Sequence, residues 1–349
     1  MTGVLRRSMA GEQGGDKASV AGSAAEAAGR PLDLFGSLPL PGGSESFTTV
    51  LVALGANVLI AAAKSAAAVV TGSASLLAEA AHSWADTGNE IFLLTANRRA
   101  RRPPDAAHPL GHGREAYVWS LFAAVGLFVA GAVVSVTRGV QELLHPAPAG
   151  HFAVGYTVLA VSFVFEGLSF GQSLRQAGAE ARVLRRDLIE HVLVTSDPTL
   201  RAVFAEDSAA LAGLVLATAG LAAHELTGSV VPDAAGSILV GTLLAAVAIV
   251  LINRNRRFLV GEEADPRIRA AAVQALLAEP EVARVTYLRL EIVGPRMLFM
   301  VGAVDLTGDD IESHVAVRLQ ALEAKICASP AVVRAVLTLS APDDPALPV

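Results

Sequence analysis

Residues 233–253 read DAAGSILVGTLLAAVAIVLIN, and after Asp233 no Asp, Glu, Lys or Arg occurs until Arg254. An α-helix rises about 1.5 Å per residue, so roughly 20 apolar residues cross the roughly 30 Å hydrocarbon core of a bilayer. This stretch has that length and that composition. Arg254, Arg256 and Arg257 follow at once, and a cluster of basic residues beside a span marks the cytoplasmic side. Further largely apolar runs occupy residues 47–70, whose one charge is Lys64, and 75–96, 115–138, 152–173 and 203–224. The sequence therefore predicts six spans. Arginines crowd the loop between spans two and three (Arg98, Arg99, Arg101, Arg102, Arg114) and the loop between four and five (Arg175, Arg182, Arg185, Arg186). The loops after spans one, three and five hold no Lys or Arg. Both termini are expected in the cytoplasm, with the chain in the plasma membrane.

Composition agrees with a membrane protein. The chain is 53% hydrophobic and 17% charged, with a mean hydropathy of +0.51, whereas soluble chains carry about 25% charged residues. The one cysteine, Cys327, excludes an intramolecular disulfide and a thiolate metal cage, both of which need more than one thiol. The net charge of −6 says little, because position rather than sum decides what clustered arginines do. No feature points to a nucleic acid.

Outside the spans, residues 1–45 are rich in Gly, Ala and Ser and lack a signal-peptide core, which reads as a disordered tail. The six-span transmembrane domain is assigned to residues 46–258 and a small soluble domain to residues 259–341, with a loose, proline-rich tail at 342–349. In the soluble domain, 266–277 has amphipathic helical spacing. Residues 282–293 and 297–306 are β-branched apolar runs joined at Gly294-Pro295; 310–327 reads as a helix and 332–339 as a strand. The order αββαβ predicts one sheet covered on one face by helices, a small α+β domain.

Ionisable residues inside spans are costly and point to function. Span two holds Glu79, His82, Asp86 and Glu90; span four holds Glu166; span five begins with Glu206 and Asp207; span six begins with Asp233. His82 and Asp86 are four residues apart, so in a helix they stack on one face within reach of a single ion. A neutral imidazole and a carboxylate suit zinc at about 2.0–2.2 Å. Two carboxylates, Asp86 with Asp207, would neutralise a divalent cation, and loss of the ion would leave groups that take up protons. The same His–Asp spacing also serves as a helix-locking hydrogen bond without metal. Asp233 is expected to cap its own helix, Glu166 to be structural or to line an access path, and Glu79 and Glu90 to line water or pair with arginines. His108 and His112, in the loop before span three, read either as surface residues or as a transient ion-entry site.

The stretch Ser73-Ala-Ser-Leu-Leu-Ala-Glu79-Ala-Ala-His82-Ser-Trp-Ala-Asp86-Thr-Gly-Asn89 resembles the second helix of the cation diffusion facilitators. His108-Pro-Leu-Gly-His112-Gly-Arg114 resembles that family's loop into helix three, and Asp233-Ala-Ala-Gly-Ser-Ile-Leu-Val-Gly241 its sixth-helix opening. The resemblance covers residues 47–340. It implies six helices, a ferredoxin-like cytoplasmic C-terminal domain, a homodimer and metal/proton antiport through His82 and Asp86. In zinc-selective members helix five adds a second His-x-x-x-Asp; here its aspartate matches Asp207, while Val203 stands at the histidine position. The wording Asp197-Pro-Thr-Leu and Glu206-Asp207-Ser-Ala-Ala-Leu-Ala-Gly213 resembles the branch around vertebrate zinc transporter nine, which departs in the same way.

With His82, Asp86 and Asp207 supplying three ligands, Glu206, Asn89 or water would complete the shell. Glu206 lies about 100° round the helix from Asp207 and would have to bend in. The expected cargo is zinc, with manganese, iron and cobalt behind it, because carboxylate-rich sites also take harder ions. No permanent cofactor is expected. An intramembrane metalloprotease would need His-Glu-x-x-His, which is absent, so the chain is not read as an enzyme. The rival from another class is a membrane scaffold whose polar residues are structural.

Overall fold

A computed structural model describes residues 47–146 and 150–348. The tail expected to be disordered, 1–45, lies outside the described residues.

Among the described residues, six helices have 25 or more residues: α1 (Phe47–Thr71), α2 (Ala74–Ala100), α3 (Glu115–Leu144), α4 (Phe152–Val183), α6 (Pro198–Thr227) and α7 (Val231–Val260). All but α2 are both long and apolar enough to cross a membrane. The exception has the length, at 27 residues, but Glu79, Asp86, Glu90, Arg98 and Arg99 make it too polar by composition alone. Its burial among the other helices explains how such a segment is tolerated: Glu79 and His82 are both 0% exposed.

Local chemistry sets the ends. Gly72, at φ +71°, breaks α1, because only glycine takes the left-handed region without cost. Ser73 then caps α2 by accepting from the Leu76 N–H. Asp197 caps α6 by accepting from the Thr199 and Leu200 N–H groups, with Pro198 in the first turn. Two features were not anticipated. A short helix, α5 (Leu188–Val194), is capped by Asp187 in what read as plain loop. And α3 passes through a π-helical turn at Leu127–Val133, where apolar periodicity alone gives no signal.

The helices pack through small residues. One buried cluster joins Ala78, Ala85, Leu127, Ala132, Ala209, Val240, Leu244 and Ala248, drawn from α2, α3, α6 and α7. A second joins Ala67, Ala68, Leu76, Leu159, Leu214, Ala217 and Leu221 from α1, α2, α4 and α6. Small side chains let helix backbones approach closely where lipid removes the hydrophobic drive between helices. Gly241 shows how closely: a Cβ there would lie 2.8 Å from the Ala132 carbonyl oxygen and 2.9 Å from the Val136 nitrogen. Leu59, Val69, Val129, Phe163, Val164, Phe165 and Leu168 are exposed, as lipid-facing positions are.

A second compact unit comprises Ala264–Leu290 and the chain from Leu298 onward. Its elements are α8 (Pro266–Leu277), β1 (Val282–Gly294), β2 (Met297–Leu306), α9 (Glu312–Cys327) and β3 (Val332–Leu339). The sheet order is β1-β2-β3. β2 and β3 pair in parallel, with Leu298 opposite Val332 and Val304 opposite Leu339, and α9 supplies the crossover that parallel strands require. Strict alternation of buried and half-buried residues along β2 puts Leu298, Met300, Val304 and Leu306 in the core with Leu276, Leu322 and Ile326. This is the small α+β domain expected, in the expected order. In the tail expected to be loose, the described residues are held down: the Arg284 guanidinium donates to the carbonyls of Ala341 (3.1 Å), Pro342 (2.8 Å) and Asp344 (2.7 Å), and the Leu347 N–H donates to the Val285 carbonyl at 2.8 Å. A single arginine whose fork matches several carbonyls is not a pattern that composition reveals.

Candidate metal centre

On α2, Glu79, His82, Ser83, Asp86 and Asn89 recur at three- and four-residue steps and so share one face. His82 Nε2 lies 3.4 Å from Asp86 Oδ2. Among the described residues neither His82 Nδ1 nor Nε2 has a hydrogen-bond partner, nor does Asp86 Oδ1. A buried imidazole with both nitrogens unpartnered is rare, because such groups are nearly always satisfied. The helix-locking hydrogen bond is therefore not what this pair makes.

Asn89 donates from Nδ2 to Glu206 Oε1 of α6 at 2.9 Å, and this contact is buried. Glu206 thus faces α2, where Asn89, three residues on from Asp86, holds its carboxylate. The neighbouring Asp207 is half-buried, and its Oδ2 accepts from Ser169 Oγ of α4 at 3.0 Å. Of the expected ligands, the structure pairs His82 with Asp86 and draws Glu206 toward them, while it ties Asp207 to α4.

Lys64 of α1, fully buried, was visible in the sequence as the one charge in span one. Its Nζ lies 2.8 Å from Ser83 Oγ, 3.2 Å from Glu79 Oε2 and 3.7 Å from Glu166 Oε1. Glu79 therefore pairs with a lysine inside the bundle, not with the loop arginines. Glu90 Oε2 accepts from Asn57 Nδ2 at 3.1 Å.

Asp233 departs from its expected role. Its carboxylate accepts from the Ala74 N–H (2.8 Å) and Ser73 Oγ (2.9 Å), and also from the Ser75 hydroxyl. It caps the start of α2 rather than of its own helix. A carboxylate in the first turn of α7 is favoured by its own helix dipole, but here the adjacent free N–H groups of α2 claim it.

In the loop before α3, Asp105, His108 and His112 place one ligand atom each within 4.8 Å of one another. Asp105 Oδ1 is 3.1 Å from His108 Nδ1 and Oδ2 is 3.0 Å from His112 Nε2, while the other nitrogen of His112 faces Glu115 Oε1 at 3.4 Å. The hydrogen bond with His112, followed by that from the His108 backbone N–H, holds the Asp105 carboxyl below the usual carboxylate range. The sequence reading found the two histidines and missed Asp105, although its spacing of three and seven residues before them was available. A cavity of about 150 Å³ opens beside His108, His112 and Glu115.

A bundle of apolar helices around a polar helix that carries a buried imidazole, without a hydrogen-bond partner among the described residues, one turn from an aspartate defines a multi-pass membrane protein. The family model for the cation efflux transmembrane domain matches residues 50–260, and the chain belongs to this family of metal cation transporters. It is 36% identical over 262 residues to metal tolerance protein C4 of Arabidopsis thaliana. It is 34% and 32% identical over 259 residues to proteins of Xenopus laevis and Homo sapiens, each named mitochondrial proton-coupled zinc antiporter SLC30A9. Each match takes in 74% of this chain, but 57% of the plant protein and 46% of the vertebrate ones, so the chain spans about half the length of these relatives. The family is one of transporters, not of enzymes.

Proposed function

We propose that the chain exchanges a divalent cation, zinc ahead of manganese, iron or cobalt, for protons through an intramembrane site of His82, Asp86 and the α6 carboxylates Glu206 and Asp207. The observation that carries this reading is His82, buried at 0% exposure with neither ring nitrogen hydrogen-bonded among the described residues, beside an aspartate whose Oδ1 likewise has no partner among them. Imidazole nitrogen and carboxylate oxygen are zinc donors, and two carboxylates balance the charge of a divalent ion. When the ion leaves, a desolvated site cannot keep its negative charges uncompensated, and protons are the replacement at hand. The relatives named as proton-coupled zinc antiporters support the same cargo and coupling.

The Asp105, His108 and His112 cluster fits the entry role. Two imidazoles and a carboxylate offer three zinc donors, and Glu115 orients His112 as an outer carboxylate orients a ligating histidine. The arginine distribution supports cytoplasmic termini, and the family resemblance supports a homodimer. The membrane must maintain a proton gradient; the mitochondrial names of the vertebrate relatives lend no support to the plasma membrane expected from the sequence.

The test is zinc uptake by the purified full chain in liposomes under a pH gradient, with manganese, iron(II) and cobalt as competitors. Zinc uptake driven by the gradient and suppressed by excess cobalt supports the reading. No movement of any of the four ions would leave the scaffold alternative standing.

A further inference from the structure

Among the carboxylates of the bundle, Glu79 and Glu166 share one buried partner, Lys64. Lys64 is 0% exposed, and its ammonium sits between Glu79 Oε2 at 3.2 Å and Glu166 Oε1 at 3.7 Å, anchored by Ser83 Oγ at 2.8 Å. Ser83 follows His82 in sequence. Glu166 lies one helical turn before Ser169, the residue that holds Asp207. Lys64 thus reaches the His82 and Asp86 face of α2 through Ser83 and Glu79, and α4 through Glu166, one turn from the residue that holds Asp207. The other oxygen of Glu79, Oε1, is buried and has no partner among the described residues. α6 makes room for it: a Cβ at Gly213 would collide with that oxygen.

We propose that Lys64 is a specificity-determining residue of the transport site, a built-in cation that keeps Glu79 and Glu166 out of the cargo's coordination shell and weakens the site enough to let a divalent ion go. The proposal rests on the cargo reading above. A permeation site must bind strongly enough to fill and weakly enough to empty. Left free, Glu79 and Glu166 would add hard oxygen donors and negative charge. Such donors raise affinity for any divalent ion and move preference from zinc toward manganese. A fixed ammonium in a poorly screened interior opposes both effects, because a charge there acts on a neighbouring divalent ion far more strongly than in water.

A purely structural ion pair predicts something different: loss of either partner impairs the protein in the same direction, since either change strands a buried charge. The present account predicts opposite shifts. Zinc transport by the full chain in liposomes is measured for Lys64→Gln, Glu79→Gln, Lys64→Arg and the double variant Lys64→Gln/Glu79→Gln, beside Asp86→Ala. Lys64→Gln should lower KM for zinc by about tenfold or more, slow turnover, and let manganese compete more effectively. Glu79→Gln, which leaves the ammonium less neutralised, should raise KM. Lys64→Arg should keep the wild-type KM, and the double variant should return KM toward wild type. If Lys64→Gln does not fold, the rise in KM for Glu79→Gln and its reversal in the double variant still decide the question. Asp86→Ala separates the two readings. Should it abolish transport while Lys64→Gln and Glu79→Gln leave KM unmoved or shift it the same way, the role of Lys64 is refuted and the site stands. Should Asp86→Ala transport normally, the site itself is refuted, and the role of Lys64 with it.

Discussion

The carboxylate of Asp233, near the start of α7, accepts the backbone N–H of Ala74, at the start of α2, at 2.8 Å. The helix that carries His82 and Asp86 is thus positioned by a residue 159 positions later in the chain. Buried charge-assisted hydrogen bonds of this kind are worth roughly 1.5–3 kcal/mol each. Asp233→Ala should therefore destabilise the protein by about 3 kcal/mol or more, lowering the melting temperature of the detergent-solubilised chain by several degrees. Ser73→Ala removes one cap and should cost about 1 kcal/mol. Equal melting temperatures for wild type and Asp233→Ala would show that the cap does not hold α2.

Gly241 and Gly167 make a paired test of helix packing. A Cβ at Gly241 would press on the backbone of α3, and backbone cannot swing aside as a side-chain tip can, so Gly241→Ala should cost about 1–3 kcal/mol. At Gly167 a Cβ would meet nothing within 4 Å. Gly167→Ala should be neutral or slightly stabilising, because alanine favours helix. Thermal melts of both variants check the contrast.

The loop cluster should act on access rather than on the transport step. His112→Ala and Asp105→Ala are expected to raise KM for zinc several-fold, while transport at saturating zinc stays near wild type. Abolished transport at saturation would place the cluster in the transport path itself.

The pH dependence of the same loop has a defined sign. Asp105 has a folded pKa below its unfolded value, so its contribution to loop order is fully present above the ordinary carboxylate pKa of about 3.9 and fades as pH falls through the lower folded value. Between about pH 7 and 5 the Asp105 carboxylate remains ionised. The loop should therefore keep its hydrogen-exchange protection across that range. Loss of protection near pH 6 would contradict the assignment.

Much of this was legible from linear pattern. Twenty-residue apolar runs and arginine-bearing loops marked the membrane helices, and period-two and amphipathic runs marked αββαβ in the soluble unit, because both signals are local. His82 and Asp86 were legible because their spacing alone puts them on one face. What escaped were relations between distant residues. The spacing of span five set Glu206 about 100° round the helix from Asp207, and nothing in it discloses that Asn89 of α2 donates to that carboxylate. Lys64 was an isolated charge until Glu79 and Glu166 came beside it, and Asp233 satisfied every local rule for capping its own helix. The π-helical turn in α3 escaped for another reason, because an apolar segment reads alike with either hydrogen-bond register.

The central claim is that an ion held by His82 and Asp86 within the membrane trades places with protons. The most direct measurement records zinc entry and proton exit together in the same liposomes, using a zinc dye and a pH dye, for wild type, His82→Ala and Asp86→Asn. The account predicts that a zinc pulse drives protons outward in the wild type, and that both fluxes vanish together in each variant while the protein remains monodisperse. Zinc entry without proton counter-flow, or undiminished exchange in Asp86→Asn, would contradict it.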